Sequence, residues 1–163
     1  MGAYLIRSGS QGKYLDECLT GGFVGVDYGI DQDLSGHFPD NLRDFNEEWR
    51  SVWLQAHPGK TSIAAGLSCG ALWTAGRGVQ VDDLVISPNA NGQSYRVGRV
   101  IGGYRYVEGA HLPHQRPGEW GRDQLHGVTS SAGTAVTNAP PHSRASASWP
   151  TISVLRFQGR MRM

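Results

Sequence analysis

Catalytic or metal chemistry in this sequence would have to be built from six histidines, two cysteines, two lysines and fourteen acids. A metal-dependent nuclease of the restriction type needs a carboxylate, then an acid or glutamine two residues before a lysine, so that metal and lysine together activate water. Lys60 has Pro58 two positions before it, and Gln11-Gly12-Lys13 has no acid upstream. Counting therefore removes such a nuclease core. The histidines, at 37, 57, 111, 114, 126 and 142, make no pair with cysteine or acid at zinc spacing, and His111 and His114 stand alone around Pro113. There is no Gly-X-Ser-X-Gly elbow after a strand and no Gly-X-X-X-X-Gly-Lys-Ser/Thr loop. The expectation is a protein that is not an enzyme, with no catalytic residue, metal or cofactor.

Aromatic rings beside cations remain. Tyr28 ends an apolar run next to Asp33-Leu34-Ser35, Trp73 ends an alanine-rich run, and Tyr104 and Tyr106 flank Arg105. Rings near arginines suit stacking on a nucleic-acid base while the cations hold phosphates. For any single ring the plainer reading is core packing, so the functional case rests on the set.

The elements that must position these rings follow from periodicity and turn signals. Ala3 to Arg7 reads as a strand, Tyr14 to Leu19 as a short helix closed by Gly21 and Gly22, and Phe23 to Tyr28 as a second strand. A helix starts near residue 41, capped by Asp40 or Asn41, and gathers Leu42, Phe45, Trp49, Val52 and Trp53 on one face. His57-Pro58-Gly59 ends it. Thr61 or Ser62 caps another helix to about Thr74, carrying Ile63, Leu67, Ala71 and Leu72, with Gly66 and Gly70 inside it and Gly76 as its stop. Strands follow at 83–87, 95–101 and 104–107, with a hairpin turn at Asn91-Gly92.

Residues 121–163 change in kind, with Ser, Thr, Ala, Gly and Pro prevailing and five arginines against one acid. They read as a low-complexity, largely disordered basic tail with one terminal strand at 151–157, and the domain as residues 1–120. Residues 16–48 hold nine acids against Arg43, whereas 96–122 hold five arginines against two acids, enough for a basic surface if the fold brings them to one face. No exported leader and no run of membrane-spanning length is present, so a cytoplasmic location with Cys18 and Cys69 as buried free thiols is expected.

Taken in order, AYLIRSG, GFVGVDYGIDQDLSG, ALW, VDDLVISP, YRVGRVIGGYRYVEG and LPHQRPGEW resemble the N-terminal module of Mrr-type restriction-system proteins, over residues 3–120. The resemblance implies an α+β fold of the PUA/EVE-like group: a small β-pseudo-barrel with two to three flanking helices and an aromatic pocket for a modified base. In the complete family proteins a separate C-terminal nuclease domain cuts the DNA, so the resemblance implies a recognition role here, with the module acting alone as a remnant or supplied in trans to a nuclease partner. By position, Tyr28, Trp73, Tyr104 and Tyr106 would surround the base, Asp33, Leu34 and Ser35 would read its edge, and Arg105, His114 and Arg116 would hold phosphate. After Trp120 the family pattern stops, as in a shifted reading frame or truncated end.

Two classes of function follow. The chain is a module binding DNA with modified bases, or a free nucleotide, and then has a concave pocket beside Tyr104 and Arg116. Alternatively it is a structural or interaction protein whose pocket is filled by its own side chains, with no affinity for nucleic acid.

Overall fold

The computed structural model describes residues 1–90, 93–130 and 133–138 of the chain. Its elements are β1 (Ala3–Leu5), α1 (Leu15–Gly21), β2 (Phe23–Val26), α2 (Leu42–Ala56), α3 (Ser62–Trp73), β3 (Leu84–Pro88), β4 (Ser94–Val100), β5 (Arg105–Tyr106), β6 (His114–Ser130) and β7 (Gly133–Asn138). No helix among the described residues is long and apolar enough to cross a membrane.

The helix ends are local chemistry. The Asn41 side chain accepts the Asp44 N–H at 3.0 Å, and the Thr61 hydroxyl accepts the Ala64 N–H at 3.2 Å. Caps of this kind contribute about 1 kcal/mol each by satisfying donors that the first turn leaves free. Gly22 closes α1 in the left-handed conformation at φ 64°, which a side chain at that position would strain. Beyond Trp73 the chain widens into a π-type turn through Gly78, where the Val79 N–H reaches the Thr74 carbonyl.

The strands form one mixed sheet in the order β1-β3-β4-β6-β2, with β5 and β7 also paired to β6. β1 runs parallel to β3, and the remaining pairings are antiparallel. This corrects the expected pseudo-barrel: the sheet is open. β1 and β2, only three and four residues long, are its two outer strands and make no ladder with each other. Period-two patterning specifies which face a residue takes, but not whether the first and last strands meet. Helices α2 and α3 pack against the sheet, their Phe45, Trp49, Trp53, Ala65, Cys69 and Leu72 sharing one core with Val24, Val26, Val85 and Val100. On the opposite face of β2, Leu15 and Cys18 of α1 pack with Leu112, Phe23 and Trp120. Both cysteines are free and buried.

β6 runs past the boundary expected at residue 120. β6 continues to Ser130, pairing with β4 through His126 and with β7 from Leu125, so residues 121–130 and 133–138 belong to the sheet. Composition hid this strand, because ladder bonds are made by backbone and do not require apolar side chains. The expected turn at Asn91-Gly92 and the terminal strand at 151–157 lie outside the described residues.

Candidate functional site

Tyr104, just before β5, and His114 and Arg116 on β6 come together under the loop that follows β2, as sequence order alone could not guarantee. Antiparallel pairing sets Val26 against His114 and Val24 against Arg116, while β5 sets Tyr106 against His114 from the other side. The three marked side chains, with Val24, Val26, Ala75, Gly76 and Gln115, line a void of about 10 Å³. That is room for about one water molecule, and not for a base.

The polar atoms around the void are bonded inward. His114 is 2% exposed. Its Nε2 lies 2.6 Å from the Ile30 carbonyl, which can only accept, so the proton resides on Nε2. Nδ1 is then the acceptor for the Tyr104 hydroxyl at 2.8 Å, and the Tyr104 oxygen in turn accepts the Leu34 N–H at 3.3 Å. Burial keeps the imidazole below its ordinary pKa, opposed by the nearby charges of Asp27, Asp31 and Asp33. Burial, with a smaller push from Asp33, raises Tyr104 to about 12. Phe38 packs on Tyr104, the two rings meeting edge-on at 4.9 Å.

Arg116 is 8% exposed and donates to three backbone carbonyls: Gly76, Val79 and, through Nε at 3.2 Å, Gly102. Burial lowers its pKa. It therefore ties the α3–β3 connection and the β4–β5 turn to β6, and of the residues expected to hold phosphate neither Arg116 nor His114 faces solvent. Of the three expected phosphate ligands only Arg105 is exposed, and its Nη2 donates to Gln115 Oε1 at 3.0 Å. The expected basic face is broken up in the same way. Arg116 is inside, Arg99 lies 3.9 Å from Asp82, and Arg96 donates to the Arg122 carbonyl.

The other marked residues divide between rim and scaffold. Tyr106 donates its hydroxyl to Asp31 at 2.7 Å, and this bond pushes its pKa up to about 12. Leu34 is wholly buried, and so joins the core rather than reading an edge. Asp33 accepts the Ser35 N–H at 2.8 Å, closing a local turn, and hydrogen bonding from the Ser35 side chain, then from its backbone, lowers the Asp33 pKa. Tyr28 and Trp73 are half-buried and do not line the void. The Tyr28 carbonyl accepts the Trp53 indole N–H, and the Trp73 indole donates to the Pro39 carbonyl at 3.0 Å. Sequence reasoning missed Phe38, Asp31 and the Ile30 carbonyl. The one available signal was Phe38 itself, a large ring in an otherwise polar loop.

Among the described residues, no three His, Cys, Asp or Glu side chains converge as a metal site would require. Fold and cluster together define an α+β domain with an open mixed sheet, in which a bonded Tyr104–His114 pair and a buried arginine line one small void. Residues 4–135 match the family described as a domain of unknown function, DUF8426, and the chain belongs to that family. The match runs past residue 120 and takes in β6 and the start of β7. No curated protein and no solved structure matches the chain.

Proposed function

We propose that this domain is a non-catalytic interaction module, which acts by docking through its surface and uses the bonded Tyr104–His114 pair and the buried Arg116 as scaffold. The observation that carries this reading is the inward bonding around a one-water void: Leu34 to Tyr104 to His114 to Ile30, and Arg116 to Gly76, Val79 and Gly102. Admitting a base would break several of these bonds, and each buried group left unpaired costs about 1–3 kcal/mol. Stacking returns about 1–3 kcal/mol per base, too little to offset them and the cost of extruding the base as well.

A second reading is favoured by one specific feature. Arg116 is a buried cation with no carboxylate in ion-pair range among the described residues, and it stands beside the void with Tyr104 and His114. If the loop from Ile30 to Asp40 swung away, these groups would face an anionic or hydrogen-bonding guest. Together with the Mrr-type resemblance, that supports a module reading modified DNA bases for a nuclease partner in a restriction-type defence system.

Fluorescence anisotropy separates the two. The protein is titrated with short duplexes with and without modified cytosine or adenine, at two salt concentrations. The docking reading expects weak binding, equal for all duplexes and erased by salt, as phosphate contacts alone give. Preference for one modified duplex that survives high salt would overturn it and establish the second.

A further inference from the structure

Between Lys60 and Arg77 the chain carries no charged side chain, and all of α3 lies in that interval. A helix apolar on every side belongs in an interior. Yet α3 buries only Ala65, Cys69 and Leu72, while Ile63 and Leu67, one turn apart, are 77% and 71% exposed. A lone exposed leucine needs no explanation, but two aligned on an uncharged helix form an apolar ridge. Alongside lies a groove of about 500 Å³ lined by Arg43, Asn46, Glu47, Arg50, Ser51 and Leu54 of α2. Ridge and groove adjoin: a Cβ on Gly66, in the same turns as Ile63 and Leu67, would sit 3.0 Å from an Arg50 Nη.

We propose that this face is a homodimer interface, in which the Ile63–Leu67 ridge of one copy enters the α2 groove of a second copy, and the reverse. A two-fold contact must be complementary to itself. A ridge beside a groove on one face meets that condition, and a ridge alone does not. The charges fit the same arrangement. The ridge is neutral, so it repels neither sign, and the groove carries Arg43 and Arg50 on either side of Glu47. Arg43 and Glu47 pair at 2.9 Å with both side chains exposed, an interaction weak enough to exchange. With the two α2 helices antiparallel, Glu47 of each copy meets Arg50 of the other. The methylene stems of the arginines and Leu54 give Ile63 and Leu67 an apolar bed.

Two adjacent helices offer a face of about 20 by 20 Å, about half the area per partner of a standard specific interface, which places the contact among weak, transient encounters. The dimer is therefore weak and reversible. This inference deepens the docking reading and rests on it, and the two fail separately. A monomer with no preference among duplexes sinks the dimer alone, and a dimer that reads a modified base sinks the docking reading alone.

Sedimentation velocity of the full chain, from low to high micromolar concentration, is the test. The expected result is a monomer–dimer equilibrium that Leu67→Glu weakens by roughly tenfold or more, with thermal unfolding unchanged because the position is exposed. Arg50→Glu also weakens it, and adding Glu47→Arg in the same chain restores it. A monomer at every concentration overturns the proposal, whatever else covers the ridge, residues 139–163 included. So does a dimer indifferent to Leu67→Glu and to the charge exchange.

Discussion

The interior beside Tyr104 and the outer face of α3 are opposite exceptions to the usual distribution of residues. One buries an arginine and a histidine, and the other exposes an isoleucine and a leucine. They differ in whether the exception is satisfied. His114 and Arg116 have hydrogen-bond partners within the chain, whereas Ile63 and Leu67 have little covering them. A buried polar group with its partners in place holds a fold together. An exposed apolar ridge is surface still waiting for contact. Satisfaction, more than residue type, separates scaffold from docking surface here.

That contrast can be broken at either end. The largest effect is expected inside: Arg116→Ala leaves the Gly76, Val79 and Gly102 carbonyls without their donor and should lower the unfolding free energy in urea by about 3 kcal/mol or more. Arg116→Lys keeps the charge but not the fork and should recover less than half. A loss under about 1 kcal/mol for the alanine variant would place Arg116 outside the scaffold. Next, Tyr104→Phe removes one hydroxyl and strands both the Leu34 N–H and His114 Nδ1, at about 1–3 kcal/mol by the same measurement.

A smaller effect is expected from pH. Burial depresses the His114 pKa in the folded state, so below about 6.5 the unfolded chain binds a proton that the folded chain refuses. Stability should be at its full value above that pH, fall as the pH drops through it, and level off below the folded value. Replacing His114 by Gln should flatten this part of the curve in urea titrations at a series of pH values. The smallest effect belongs to the other region: Ile63→Ser with Leu67→Ser should leave stability within about 0.5 kcal/mol while abolishing self-association. A large stability loss would show that the ridge is core after all.

Much of the frame was legible in advance. The glycine stop of α1 and the Phe45-Trp49-Trp53 face each rest on neighbours within a few residues, and both are present; the choice between Asp40 and Asn41 at the start of α2 falls to Asn41, and that between Thr61 and Ser62 at the start of α3 to Thr61. Leu42 and Val52, read on the same face, are exposed, because an apolar stripe shows where a helix can pack and not how wide its contact is. Among the site residues, Tyr104, His114 and Arg116, marked from the sequence, line one small void, but the carbonyls that Arg116 reaches were not legible. Arginine in a strand looks the same whether its partners are phosphates or carbonyls of Gly76, Val79 and Gly102, which come from distant parts of the chain. Ile63 and Leu67 were read simply as apolar residues of their helix, because periodicity cannot tell a buried face from one awaiting a partner. The open sheet was hidden for a similar reason, since closure is decided by strands that are far apart in sequence.

The central claim is that the loop over Tyr104 is a fixed part of the fold and not a lid. Native-state hydrogen exchange of the Leu34 amide, the donor to the Tyr104 hydroxyl, tests it most directly. If the claim holds, this amide exchanges only with global unfolding, as slowly as those of Val85 and Val100 in the central strands. Exchange many times faster than those two would mean that the loop opens while the sheet stays folded, and would contradict the scaffold account in favour of a gated pocket.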